Sequence, residues 1–151
     1  MYAEAGRRGW SRAQRRVVIG DGAEWTWNLA EQWFPGTILI RDLYQARQHL
    51  WDLTRTLYPR DDLGQKRWRM PRLGRLESGK LDAVVAGLRS IPAAARELAD
   101  TLRLAADSFP KNARRMRYPV FRRAGWFIGS GVIEVGCKTV IGSRLKQSGV
   151  F

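Results

Sequence analysis

The stretch Arg16-Val17-Val18-Ile19-Gly20-Asp21-Gly22-Ala23, continued by residues 24–34 and by Pro35-Gly36-Thr37-Ile38-Leu39-Ile40-Arg41-Asp42, decides the fold class of this chain. Val17-Val18-Ile19-Gly20 is a short continuous apolar run. It reads as a strand buried on both faces, the kind found in parallel sheets, and Asp21-Gly22 ends it. Trp25, Leu29 and Trp33 recur at i, i+4 and i+8 with Glu24, Asn28 and Glu31 between them, so residues 24–34 read as an amphipathic helix with the tryptophans in the core. Pro35-Gly36 stops the helix, and residues 37–40 form a second β-rich run. Strand, helix and strand in so short a span predict a right-handed βαβ unit with parallel strands. Asp21 and Asp42 then fall at the carboxyl ends of their strands, the edge where open α/β sheets hold ligands.

Downstream the period becomes helical. Leu43, Ala46, His49 or Leu50, Leu53 and Leu57 share a face, and Pro59 ends the pattern. Residues 60–79, rich in charge, Gly and Pro, read as loop or irregular chain. Helical spacing returns over 80–90 through Leu81, Val84, Val85 and Leu88, and over 93–109 through Leu98, Leu102 and Ala105. Residues 111–123 are a basic block in which Arg114, Arg115, Arg117, Arg122 and Arg123 alternate with Met116, Tyr118 and Phe121. A glycine-punctuated connection, 125–131, leads to a last helix over 132–147 with Ile133, Cys137, Val140 and Ile141 inward. The expected organisation is a basic N-terminal segment (1–15), a βαβ unit (16–58), a helical insertion (59–110), and the basic block with a final helix (111–151).

The chain has 151 residues, 27 Lys+Arg against 14 Asp+Glu, and a formal net charge of +13. That is the length of one ordinary domain. Its hydrophobic fraction of 44% is that of a globular core rather than of a disordered tail. The charge points to a polyanion, nucleic acid before an anionic membrane surface. No apolar run approaches the roughly 20 residues that span a bilayer, and residues 1–10 do not have the form of a secretory signal. One cysteine, Cys137, excludes an internal disulfide framework and a cysteine-based zinc finger, and fits a reducing, cytoplasmic setting. With one histidine in the chain, acid/base or metal chemistry must lean on carboxylates.

Three carboxylates stand out: Asp21, Asp42 and Glu134. Carboxylates converging at a sheet edge suit Mg²⁺, a hard cation that takes oxygen ligands and keeps positions open for phosphate. Each also has a structural reading. Asp21-Gly22 is a common turn, Asp42 can cap the helix after it, and Glu134 can complement a helix dipole and pair with Lys138 at i+4. His49, beside Leu50 and Trp51, reads as a packed core histidine, and Cys137 as a small buried hydrophobe. The block from Lys111 to Arg123 can neutralise DNA phosphates or form a solvated helix face.

At these residues the chain resembles a known group. Ile19-Gly20-Asp21-Gly22-Ala23 with Trp25, Trp27, Asn28, Leu29, Ala30 and Phe34-Pro35-Gly36 is similar to the transposases of the ISKra group of bacterial insertion sequences. Asp42-Leu43-Tyr44 with Ala46, His49, Leu50 and Trp51 extends the similarity. Asn112, Arg115, Met116, Tyr118-Pro119, Gly129-Ser130-Gly131-Val132, Glu134, Cys137-Lys138 and Arg144-Leu145-Lys146-Gln147 complete it.

The resemblance covers residues 16–58 and 109–149 well and the helical middle loosely. It implies a DDE transposase: an RNase H-like fold, here partial, in which two Asp and one Glu hold Mg²⁺ or Mn²⁺ for DNA strand cleavage and transfer. It implies Asp21 and Glu134 as metal ligands, with the first Asp upstream of Met1 or, alternatively, a triad of Asp21, Asp42 and Glu134. Related Mutator-type transposases place a His three residues after an Asp or Cys, where this chain has Gln45 after Asp42. Lys111, Arg114, Arg115, Arg117, Arg122, Arg123, Lys138, Arg144 and Lys146 are the expected DNA contacts. Other transposase subunits are possible partners, and the expected location is the nucleoid-associated cytoplasm of a bacterium. The expectation is a piece truncated at both ends and inactive alone; the alternative is a non-catalytic DNA-binding remnant.

Overall fold

Two parallel strands, β1 (Val17–Gly20) and β2 (Ile38–Arg41), pair in the register Val17 with Ile38 through Gly20 with Arg41. The computed structural model describes residues 6, 7, 9–93 and 95–130. Helix α1 (Glu24–Trp33) crosses from β1 to β2, so the βαβ unit read from residues 16–42 is present. Among the described residues the sheet has these two strands alone, and β1 is accordingly half-buried along its length rather than closed on both faces.

The buried side of α1 is not the one its periodicity suggests. Trp27 and Ala30 are inside, each 3% exposed, whereas Trp25, Leu29 and Trp33 face outward at 64%, 45% and 47%. The reason lies in the strand below. Gly20 has no Cβ, and one built there would stand 2.7 Å from Thr26 and 3.0 Å from the Trp27 ring. The glycine opens the slot that receives Trp27, and Ala30, one turn on, lets the helix axis come close.

Asp42 caps helix α2 (Leu43–Leu57) by accepting the Tyr44 N–H at 2.7 Å, the local geometry preferred for an Asp at this position. Leu43, Ala46, Leu50 and Leu53 are its inner stripe. His49 faces outward and Leu50 takes the core position.

Residues 60–79 are not loop: helix α3 spans Asp62–Glu77. The Asp61 side chain accepts the Gly64 N–H at 2.8 Å, Asp62 complements the first turn, and Gly79, at φ 76°, ends the segment. Pro71 sits on the exposed side, while Trp68, Arg69, Leu73 and Leu76 turn inward. The buried stripe outweighs the helix-breaking composition.

Helices α4 (Leu81–Arg89) and α5 (Arg96–Lys111) follow, then a 3₁₀ turn (Ala113–Met116) against β2, and α6 (Tyr118–Arg123). The protein is mixed α/β and mostly helical. Its core runs from Ile40 through α2, α3, α4 and α5 to Met116 and Tyr118. No described helix is long and apolar enough to cross a membrane. The expected final helix over 132–147, with Glu134, Cys137, Lys138, Arg144 and Lys146, lies outside the described residues.

Candidate functional site

The carboxyl ends of β1 and β2 open onto the turn Asp21-Gly22 and onto Asp42. Asp21 is exposed; its Oδ1 accepts the Ala23 N–H at 2.9 Å and the Thr26 hydroxyl at 3.2 Å. Its other oxygen accepts no hydrogen bond among the described residues. Asp21 therefore both forms the turn and presents one hard oxygen that is uncommitted among the described residues.

Asp42 is different. It is 4% exposed, and both of its oxygens are taken: Oδ1 by the Tyr44 N–H and Oδ2 by the Ser130 N–H at 2.9 Å. The Leu43 N–H also donates to the Ile128 carbonyl at 2.9 Å. Asp42 thus clasps the returning chain at 128–130 onto the end of β2, the capping role with a second partner added.

No group of three His, Cys, Asp or Glu side chains suited to a metal gathers among the described residues. Mg²⁺, however, commonly takes one or two carboxylates and completes its shell with water and phosphate oxygens. The open Asp21 oxygen fits one such position, whereas Asp42, 4% exposed with a backbone N–H on each oxygen, offers less access to one.

The basic block is not one helix face. It bends through the end of α5, the 3₁₀ turn and α6, and its members have separate tasks. Arg115 lies over the Trp27 ring, 4.8 Å from its centre, and approaches Glu31 at 3.6 Å. Arg122 approaches Glu77 at 3.8 Å, and Arg47 reaches the same carboxylate at 3.6 Å, tying α2, α3 and α6 together. Lys111, Arg114, Arg117 and Arg123 are exposed and make no ion pair among the described residues. They are the cations left for an external anion.

Lys111 and Arg115 line two openings. One, of about 640 Å³, lies beside Ile38 and Leu39 and includes Arg114. The other, of about 700 Å³, runs between α1 and α5 and reaches Gly22, next to Asp21. Asn112 builds this wall: it is 5% exposed, accepts the Trp27 indole N–H at 2.9 Å and donates to the Gly22 carbonyl at 3.1 Å. Asn112 thereby links the core tryptophan to the turn bearing Asp21.

Two groups at this edge escaped the pattern of the sequence, Arg41 and Tyr118, and a third, His49, was read as a packed core residue but is exposed. Arg41 is 2% exposed, and burial holds its guanidinium below the ordinary range, against the raising influence of Tyr118 and Asp21. Burial pushes the Tyr118 phenol well above its usual range, so it stays protonated and a donor. Partial withdrawal from water and the charge of Arg41 hold the His49 imidazole below 6.5. The available signal was an arginine closing an otherwise apolar strand, directly before Asp42.

No protein-family model, no curated protein and no solved structure matches this chain.

Proposed function

We propose that this chain is a DNA-binding unit of the DDE transposase type, with an RNase H-like core in which Asp21 and Glu134 ligate Mg²⁺ or Mn²⁺. The reaction class is DNA strand cleavage and transfer by metal-assisted phosphoryl transfer. The observation that supports it is the clasp: the chain that runs on to Glu134 departs from Asp42, at the same sheet edge that carries Asp21. Bound divalent ions supply Lewis acidity and an activated water in such chemistry. Asp21 offers its open oxygen, Lys111, Arg114, Arg117 and Arg123 hold phosphates, and Asp42 fixes the returning chain. Nucleoid association and assembly with other transposase subunits belong to the same reading.

Because Asp42 is engaged at both oxygens, this chain by itself brings two carboxylates, and strand transfer by it alone is not expected. A strand-transfer assay on the purified chain with Mg²⁺ or Mn²⁺ checks this. Robust joining that disappears in Asp42→Asn would overturn it and favour the triad Asp21, Asp42 and Glu134.

A second reading, DNA binding without catalysis, is favoured by Arg41. A buried cation beside Asp21 opposes the approach of a divalent metal. Under it Asp21→Ala leaves DNA affinity unchanged or raised.

Under both readings the free cations set the salt dependence. Changing Arg114, Arg117 and Arg123 to Gln is expected to reduce the slope of log affinity against log salt on duplex DNA by about 2 to 3. Anisotropy titrations between low and physiological salt measure it, and an unchanged slope would move the interface elsewhere.

A further inference from the structure

Arg41 closes β2 in the interior, and no carboxylate pairs with it among the described residues. Its Nη1 reaches the Ser108 carbonyl at 3.5 Å and the Met116 sulfur at 3.8 Å, both long contacts, and its Nε has no partner. Two other arginines with an unpartnered Nε, Arg69 and Arg72, lie 3.2 and 4.1 Å from the centres of Trp51 and Trp68. Those stacks compensate their charge. Arg41 stands farther from its ring, 5.4 Å from the centre of Phe109, a weaker partner. Tyr118, fully buried, also leaves its hydroxyl without a partner. Asp21 is the acid whose charge bears on Arg41, but it makes no ion pair with it among the described residues; burying an ion so incompletely compensated is costly in a fold, and an orphaned phenol adds to it. A site whose donors outnumber its acceptors, with the Arg41 Nε and the Tyr118 hydroxyl left over, suits an anion.

The surroundings indicate which one. The Asp21-Gly22 turn roofs the guanidinium: Gly22 sits at φ 104°, and a Cβ there would stand 2.6 Å from the Arg41 Nε. Ser108, whose carbonyl Arg41 touches, lines both the groove leading to Gly22 and a cleft of about 300 Å³ that holds His49. The groove carries Arg103, Lys111 and Arg115 together with the acids Glu24, Glu31 and Asp107, and Arg115 is already turned to Glu31.

We propose that Arg41 and Tyr118 form an anion site that takes a phosphate oxygen, reached along the Ser108 wall, and that on DNA its occupant is a backbone phosphate next to Asp21. The planar guanidinium and a phenolic O–H match an oxyanion with several acceptor lone pairs. The DNA part rests on the function proposed above; the anion site does not.

The test uses the full chain, with inorganic phosphate and chloride at matched ionic strength, followed by melting temperature and titration calorimetry. Phosphate is expected to stabilise beyond chloride. Tyr118→Phe should weaken phosphate by about tenfold, the size of one charge-assisted hydrogen bond, and Arg41→Met should abolish the phosphate-specific effect. If Arg41→Met does not fold, Arg41→Lys, which keeps the charge and loses the fork, is expected to weaken phosphate as well. Phosphate acting no differently from chloride, or wild-type affinity in Tyr118→Phe, would overturn the site and leave water or an internal acid as its occupant.

A short thymidine oligonucleotide without terminal phosphates separates the sources. Competition with phosphate supports a DNA backbone occupant; phosphate binding without competition overturns that half. DNA affinity with no Arg41-dependent phosphate binding defeats the site and spares the DNA reading, and the reverse pattern defeats the DNA reading and spares the site.

Discussion

Trp27→Ala is expected to remove about 3 to 5 kcal/mol of stability, the range for deleting a buried tryptophan. The ring is 3% exposed, fills the slot above Gly20, and carries the Arg115 guanidinium on its face. Its loss leaves a cavity between α1 and β1 that the backbone cannot close, because Ala30 already holds the helix near the sheet. It also frees Asn112, whose amide holds the Gly22 carbonyl. A domain of this size has about 5 to 15 kcal/mol in all, so the variant should melt about 6 to 20 °C lower. Trp27→Phe keeps most of the ring and drops the N–H, and should cost about 1 to 2 kcal/mol. A calorimetric melt of the three proteins decides it; a shift under about 2 °C for Trp27→Ala would mean that the helix packs by another face.

The second large effect belongs to Asp42. Asp42→Ala removes the cap of α2, worth about 1 kcal/mol, and the hydrogen bond to the half-buried Ser130 N–H, for about 0.5 to 1.5 kcal/mol more. Asp42→Asn separates the two. Its carbonyl can still accept from Tyr44, but its amide group meets the Ser130 donor with another donor, so the capping part returns and the clasp does not. Urea denaturation with an unchanged m-value should place Asn between wild type and Ala. Asn as unstable as Ala would show that the clasp carries the whole effect.

The βαβ unit was legible because apolar runs four residues long, bounded by Asp-Gly and Pro-Gly, have few other solutions. Helix α2 was legible for a similar reason: Leu43, Ala46, Leu50 and Leu53 define one stripe. Two features were hidden. In α3 the burial of Trp68, Leu73 and Leu76 overrides Gly64, Pro71 and Gly74, and composition alone does not count a partner helix that pays for the break. In α1 three large apolar residues at perfect helical spacing lost to Trp27 and Ala30, because the seam was set by the missing Cβ of Gly20, a residue on another element. Periodicity measures how apolar a face is, not how closely it can approach its neighbour.

The candidate site was legible to a similar degree. Asp21 and Asp42 could be assigned to one sheet edge from the ends of their strands. That Asp42 spends both oxygens on the backbone could not, since its second partner is 88 residues away. Nor could the division of the basic block, where Arg115 and Arg122 serve internal acids and Lys111, Arg114, Arg117 and Arg123 pair with none among the described residues.

That separation also has a kinetic meaning. Closing a loop of this length costs chain entropy that no neighbouring contact refunds in advance, whereas the helices between form from local contacts. The end of β2 and residues 128–130 are therefore expected to join late on folding and to part early on opening. In hydrogen exchange the Ser130 amide should report a shallow local opening, well before the amides of the helical core exchange.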